Sequence, residues 1–212
     1  MGEQVSHNLQ GVLSMSANPR RVLIVKLSAI GDVLHTLPAA VAVRRALPEA
    51  EIAWAVEGRA RDLLDGHPAV DRVISLKRHW LTSPAAVWEI RKTLQAFAPD
   101  VTIDAQGLLK SGVLAWLSAA GMRIGYAAPE AREGSALFST HRVPPTAAHV
   151  VDRHLQLLAP LGITSDAPRF GMPRPDNARR SVDAWWKTLA LPDAPAVLNP
   201  GAGWPSKLWP PE

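Results

Sequence analysis

The chain has 212 residues, of which 47% are apolar, 20% charged and 6% aromatic, a composition that excludes disorder, collagen and coiled coil. Its 23 Lys and Arg stand against 19 Asp and Glu for a formal charge of +4, without a long block of like charge. No nucleic-acid partner is therefore expected, whereas a local patch for an anionic ligand is. The lack of cysteine removes disulfides, thiolate metal sites and cysteine nucleophiles and suits a reducing compartment.

Residues 1–20 have neither the cationic start nor the apolar centre of a signal peptide and read as a flexible tail, with Met15 an alternative start. From Arg21 the run RVLIVKL predicts a buried strand, followed by a turn at 28–31 and a helix over 32–47. The unit recurs as EIAWAV (51–56) with a helix through 61–64, then DRVISL (71–76) with a long helix after Pro84. A strand at 100–105 with a helix over 108–120 follows, then a short strand at 122–125. Alternating strands and helices imply an α/β fold with a doubly wound parallel sheet. After it come a helical pattern at 149–161, a proline-rich stretch at 168–176 and another helix at 177–189. Pro192 and Pro195 introduce a new apolar strand, AVLN (196–199), running into Gly201, Ala202 and Gly203. Proline-rich connections before a restarted strand mark a domain crossing. The predicted organisation is a tail at 1–20, a domain at 21–175, a helix and linker at 176–195, and the start of a second domain at 196–212. A second domain needs on the order of 100 residues, so the chain stops just after entering it. No window approaches the ~18 apolar residues of a spanning helix, and the chain is expected to be soluble or at most peripheral.

In an open parallel sheet, ligands bind beyond the carboxyl ends of the strands, and three loops carry polar content there. The first is KLSAIGDVLHTLP (26–38), where Gly31 permits a tight turn and Asp32 falls at the helix start. Asp32 is a candidate base for a substrate hydroxyl or, alternatively, an N-cap for orphan amides. The second is DAQGLLKS (104–111): free amides at a helix start, with Lys110 and Ser111 one turn in, favour an anionic or polyhydroxyl ligand. A surface lysine and a structural turn explain that pattern equally. The third is NPGAGWPSKLW (199–209), whose glycines bring amides close to a diphosphate within reach of Lys207. It matches neither a Walker loop nor a G-x-G-x-x-G fingerprint. Basic residues also gather at Arg59, Arg61, Lys77, Arg78, His79, Arg132 and Arg142 and, facing the sheet edge, would suit phosphate or carboxylate. His35 reads as packed or capping, and the eight tryptophans, Trp185 and Trp186 among them, as packing residues. No spacing indicates a metal, no cofactor is expected, and no G-x-S-x-G marks a serine hydrolase.

Together VLIVKLSAIGDVLHTLPA, IDAQGLLKSG and NPGAGWPSKLWPPE, in this order, resemble the ADP-heptose:lipopolysaccharide heptosyltransferases of glycosyltransferase family 9, heptosyltransferase I most of all. The resemblance extends to GYAAPEAREGSALF and HVVDRHLQLL. It implies a GT-B architecture of two facing Rossmann-like domains, this chain holding the N-terminal, acceptor-binding one and a truncated ADP-sugar domain. It implies inverting transfer of heptose from ADP-heptose to the Kdo of the lipopolysaccharide inner core, at the cytoplasmic face of the inner membrane, with peripheral contact and Kdo-lipid A as acceptor. Asp32 matches the family's catalytic aspartate. Gln106, Gly107, Lys110, Ser111 and Arg132 fall to the acceptor, and Gly201, Ala202, Gly203 and Lys207 to the donor diphosphate. The family often has hydroxyl residues where Ala202 and Gly203 stand, so backbone contacts alone are expected there. The chain by itself is expected to transfer no heptose. Heptosyltransferase II, another family 9 enzyme, and a non-catalytic acceptor-binding module are the alternative readings.

Overall fold

The computed structural model describes residues 19–164, 167–173 and 176–189, with Ala196, Leu198, Gly201, Leu208 and Trp209. The chain divides into two units after Pro173, each described by itself. The first is built on six strands, β1 (Arg21–Val25), β2 (Glu51–Glu57), β3 (Arg72–Leu76), β4 (Val101–Asp104), β5 (Met122–Tyr126) and β6 (His141–Val143). All pair in parallel in the order β3-β2-β1-β4-β5-β6. This is the doubly wound order 3-2-1-4-5-6, whose connections reverse direction between β1 and β4. In register, Val22 of β1 lies opposite Ile52 of β2 and Val101 of β4.

Both faces of the central strands are covered, which is why β1 reads as an unbroken apolar run rather than an alternation. Val22 and Ile24 join a core with Leu37 and Val43 of α1 (Ile30–Ala46) and Leu157, just past α4 (Val150–Gln156). Leu23 and Val25 face the other way, into a core with Leu94 of α2 (Pro84–Phe97) and Leu114 of α3 (Leu109–Leu117). Trp54 and Trp80 are fully buried, as expected of packing residues, but Trp88, Trp116, Trp185 and Trp209 are each more than half exposed.

The expected helix at 61–64 is a 3-10 segment, Gly58–Leu63. The expected helix at 149–161 divides into α4 and a 3-10 turn, Ala159–Leu161, because Pro160 has no amide to continue the α-helical ladder. β6 has no counterpart in the sequence reading: three residues, HRV, on a sheet edge leave too short a run for a periodic signal. The second unit contains α5 (Asp176–Thr188), none of whose residues is buried. Of the expected strand at 196–199, Val197 and Asn199 lie outside the described residues, while Ala196 and Leu198 are exposed and in neither helix nor strand.

Candidate functional site

The two loops flanking the topological switch point are the first two motifs of the sequence, one leading from β1 into α1 and the other from β4 into α3. They are laced together. Gln106 Oε1 accepts the Leu27 amide at 3.1 Å, and Lys26 Nζ donates to the Ala105 carbonyl at 2.9 Å. Gln106 is thus partly a strut between loops, and it also lines a cleft described below.

Asp32 is not the N-cap of α1; that position belongs to Ala29, which has no side chain able to cap. One turn in, the Asp32 carboxylate reaches back, and its Oδ2 accepts the Ala29 amide at 3.0 Å. One orphan donor of the helix start is satisfied in this way, and Oδ1 is left open in an exposed residue. His35 is half-buried with its ring edge-on to His149 at 6.5 Å, in keeping with a packing role.

The second loop is organised around Asp104, which is 2% exposed. Its Oδ1 accepts the amides of Gln106 (2.9 Å) and Gly107 (3.1 Å), and its Oδ2 accepts the Ser111 hydroxyl at 3.0 Å. Burial pushes the Asp104 carboxyl above its ordinary range, against the pull of these donors. Ser111 is fully buried, with its hydroxyl engaged on Asp104 and Leu108. Lys110 is half-buried and ion-paired with the Glu57 carboxylate at the end of β2. Gly107 takes the left-handed φ of +69°, and a Cβ there would lie 2.8 Å from the Glu130 carbonyl. Gly107→Ala should therefore destabilise the domain by about 2 kcal/mol, from strained φ and a clash with backbone; its melting temperature would show this.

Between the ends of β1, β4 and β5 lies a cleft of about 340 Å³, lined by Lys26, Gln106, Tyr126, Glu130, Arg132, Arg153 and His154 among others. Lys26 is 6% exposed, and burial pulls its ammonium below its ordinary pKa, while the nearby Asp32 and Asp104 carboxylates oppose this. Arg153 is paired with Glu130 at 3.2 Å, whereas the exposed Arg132 guanidinium makes no ion pair among the described residues. Burial also drives His154 down to about 3, so its ring is neutral, and raises the Tyr126 hydroxyl bonded to it. Sequence reasoning gave no role to Lys26, Tyr126, Arg153 or His154. The one available signal was a lysine ending the apolar run RVLIV; the others come from separate parts of the chain that only the fold unites. A larger groove of about 460 Å³ lies against β3 and α2 and includes none of the switch-point residues.

The other candidates scatter. Arg61 is paired with Asp65 and Arg142 Nε donates to the Ala136 carbonyl, so both are engaged locally. Lys77 lines the groove beside β3. Gly201 is exposed, and Ala202, Gly203 and Lys207 lie outside the described residues. Among the described residues, no cluster of three or more His, Cys, Asp or Glu is placed to hold a metal, and no helix is long and apolar enough to cross a membrane.

A doubly wound sheet with polar loops gathered at its switch point places this chain among the Rossmann-like α/β proteins that take ligands at the carboxyl edge. Within that class the chain belongs to glycosyltransferase family 9 (heptosyltransferase), whose profile matches residues 87–212. Lipopolysaccharide heptosyltransferase 1 of Salmonella typhimurium is 39% identical over 148 residues, 66% of this chain and 47% of that protein. The protein of the same name from Pseudomonas aeruginosa is 35% identical over 201 residues, 90% of this chain and 54% of its own length. Among solved structures, the E. coli heptosyltransferase WaaC with ADP-2-deoxy-2-fluoro heptose superposes with a TM-score of 0.62 at 36% identity, over 70% of this chain and 50% of that one. The chain spans about half the length of the curated relatives it matches.

Proposed function

We propose that the chain is the acceptor side of an inverting heptosyltransferase of the heptosyltransferase I type, which moves L-glycero-D-manno-heptose from ADP-heptose to Kdo of the lipopolysaccharide inner core. The observation that carries this reading is the Asp32 carboxylate at the switch point, with Oδ2 anchored on the Ala29 amide and Oδ1 open. Oδ1 takes the proton of the acceptor hydroxyl as that oxygen attacks the anomeric carbon from the face opposite the diphosphate. The new C–O bond forms, the bond from the anomeric carbon to phosphate breaks, and ADP leaves with the electron pair. Identity to proteins named heptosyltransferase 1 supports the sugar and the first-heptose assignment, and the analogue in the WaaC structure supports a sugar-nucleotide donor. No cofactor or metal is required by these steps.

The proposed division gives residues 21–175 to the acceptor, 176–195 to a helix and linker, and 196–212 to the beginning of the donor domain, where Gly201, Ala202, Gly203 and Lys207 meet the diphosphate. Partition of the chain after Pro173 supports this boundary. The acceptor lies over the cleft beside Asp32, met by Arg132 and the free amide of Gln106. Gly107 and Ser111 shape the loop, and Lys110 stands at its outer side with Glu57. The enzyme works at the cytoplasmic face of the inner membrane, in peripheral contact with its lipid-linked acceptor.

The test is transfer from ADP-heptose to Kdo-lipid A by a protein carried to the length of its relatives; absence of transfer with folded protein refutes the reading, and transfer only to an acceptor already bearing heptose redirects it to heptosyltransferase II. In that assay Arg132→Ala should raise the acceptor KM about tenfold, the loss of one charge-assisted contact, with an unchanged melting temperature. Lys110→Ala should raise KM too, and in addition lower the melting temperature, because the Glu57 carboxylate, 9% exposed, loses its ion-pair partner.

A further inference from the structure

Two buried groups of the cleft have no part in the proton transfer above. His154 on α4 is 2% exposed, its Nδ1 lies 2.6 Å from the Tyr126 hydroxyl, and its Nε2 is buried without a partner. The Tyr126 hydroxyl has no other partner among the described residues, so donating its proton to Nδ1 is the arrangement that leaves the fewest groups unpaired. The ring proton then sits on Nε2, an unsatisfied N–H in a residue that lines the cleft. An orphaned buried donor is costly unless something accepts from it. Lys26, 6% exposed and lining the same cleft, gives one of its three ammonium protons to Ala105 and has two more to offer.

Both residues line one cleft and each has a donor to spare, which matches a group with two acceptor oxygens. The charges around them are Lys26, Arg132 and Arg153 against Glu130, Asp32 and Asp104, a near balance that suits a single negative charge better than a dianionic phosphate. We infer that Lys26 Nζ and His154 Nε2 form a subsite in the cleft for the carboxylate of the acceptor sugar, making His154 a determinant of preference for sugar acids over neutral sugars. The inference rests on the acceptor reading above and adds to it which atoms read the acid.

The experiment titrates the 212-residue chain, labelled with ¹⁵N-histidine and ¹⁵N-lysine, with free Kdo, its methyl ester and inorganic phosphate. Kdo should bind about tenfold or more tightly than the ester, as expected for a lost charge-assisted pair, and should move the His154 Nε2 resonance. His154→Asn keeps a polar atom toward Tyr126 but has none at the Nε2 position, and it should lose the preference; His154→Gln places an amide nitrogen there and should retain it. Circular dichroism checks the fold of each variant, and Lys26→Met, expected to lose the preference as well, serves if His154→Asn does not fold. Equal affinity for acid and ester, or an undiminished preference in folded His154→Asn, overturns the subsite. Kdo bound equally by wild type and His154→Asn leaves the acceptor reading standing and removes only the subsite. Phosphate bound with dependence on His154, and Kdo not bound at all, overturns the carboxylate assignment and the acceptor reading together.

Discussion

Asp32→Asn in a protein of full length should cut heptosyl transfer about 10²–10⁴-fold, the usual contribution of a positioned general base, with the melting temperature unchanged. The geometry separates the two roles this side chain could fill. As a helix-start acceptor it needs one oxygen 3.0 Å from the Ala29 amide, and the Asn carbonyl oxygen provides that as well. As a base it needs a lone pair that can hold a proton, and the Asn amide has none. Measuring transfer rate and melting temperature together gives three separable results. Slow turnover with intact stability is the expected one, normal turnover removes Asp32 from the chemistry, and loss of both assigns it to the fold.

The strands at the centre of the sheet were legible in the sequence because burial on both faces leaves an unmistakable mark: RVLIV and EIAWAVE are nearly continuous apolar runs. The loops after β1 and β4 were legible as polar insertions between a strand and a helix. What each side chain does inside them was not. Asp32 lies three residues after the cap rather than at it, a distinction of backbone geometry that residue spacing does not encode. Ser111 reads as a hydroxyl offered to an anionic or polyhydroxyl ligand one turn into a helix but is buried against Asp104, since the loop folds back on its own carboxylate. The cleft escaped notice for a different reason. Lys26, Gln106, Arg132 and His154 are widely separated in sequence, and only the parallel pairing of β1, β4 and β5, with α4 packed beside them, brings them around one cavity.

Asp104→Ala should destabilise the domain by about 3 kcal/mol, the cost of stranding buried donors, and lower its melting temperature by roughly 6–12 °C for a domain of this size. The substitution leaves the Gln106 and Gly107 amides without their acceptor and the Ser111 hydroxyl with the Leu108 carbonyl alone. It also takes a carboxylate away from the buried Lys26 ammonium, so the disturbance reaches the loop that carries Asp32 through the Lys26 and Gln106 struts. Asp104→Asn is the informative companion. Its carbonyl oxygen still accepts the two amides, and the Ser111 hydroxyl can turn its proton wholly to the Leu108 carbonyl 2.9 Å away, so the loss of stability should be about 1 kcal/mol. Thermal melts of both variants, read beside transfer rates, decide what this buried aspartate contributes. If Asp104 organises the loops, Asn retains most of the activity and Ala loses activity in step with stability. Transfer abolished by Asp104→Asn at near wild-type stability would instead place Asp104 among the reacting groups and shift the proton-accepting role away from Asp32.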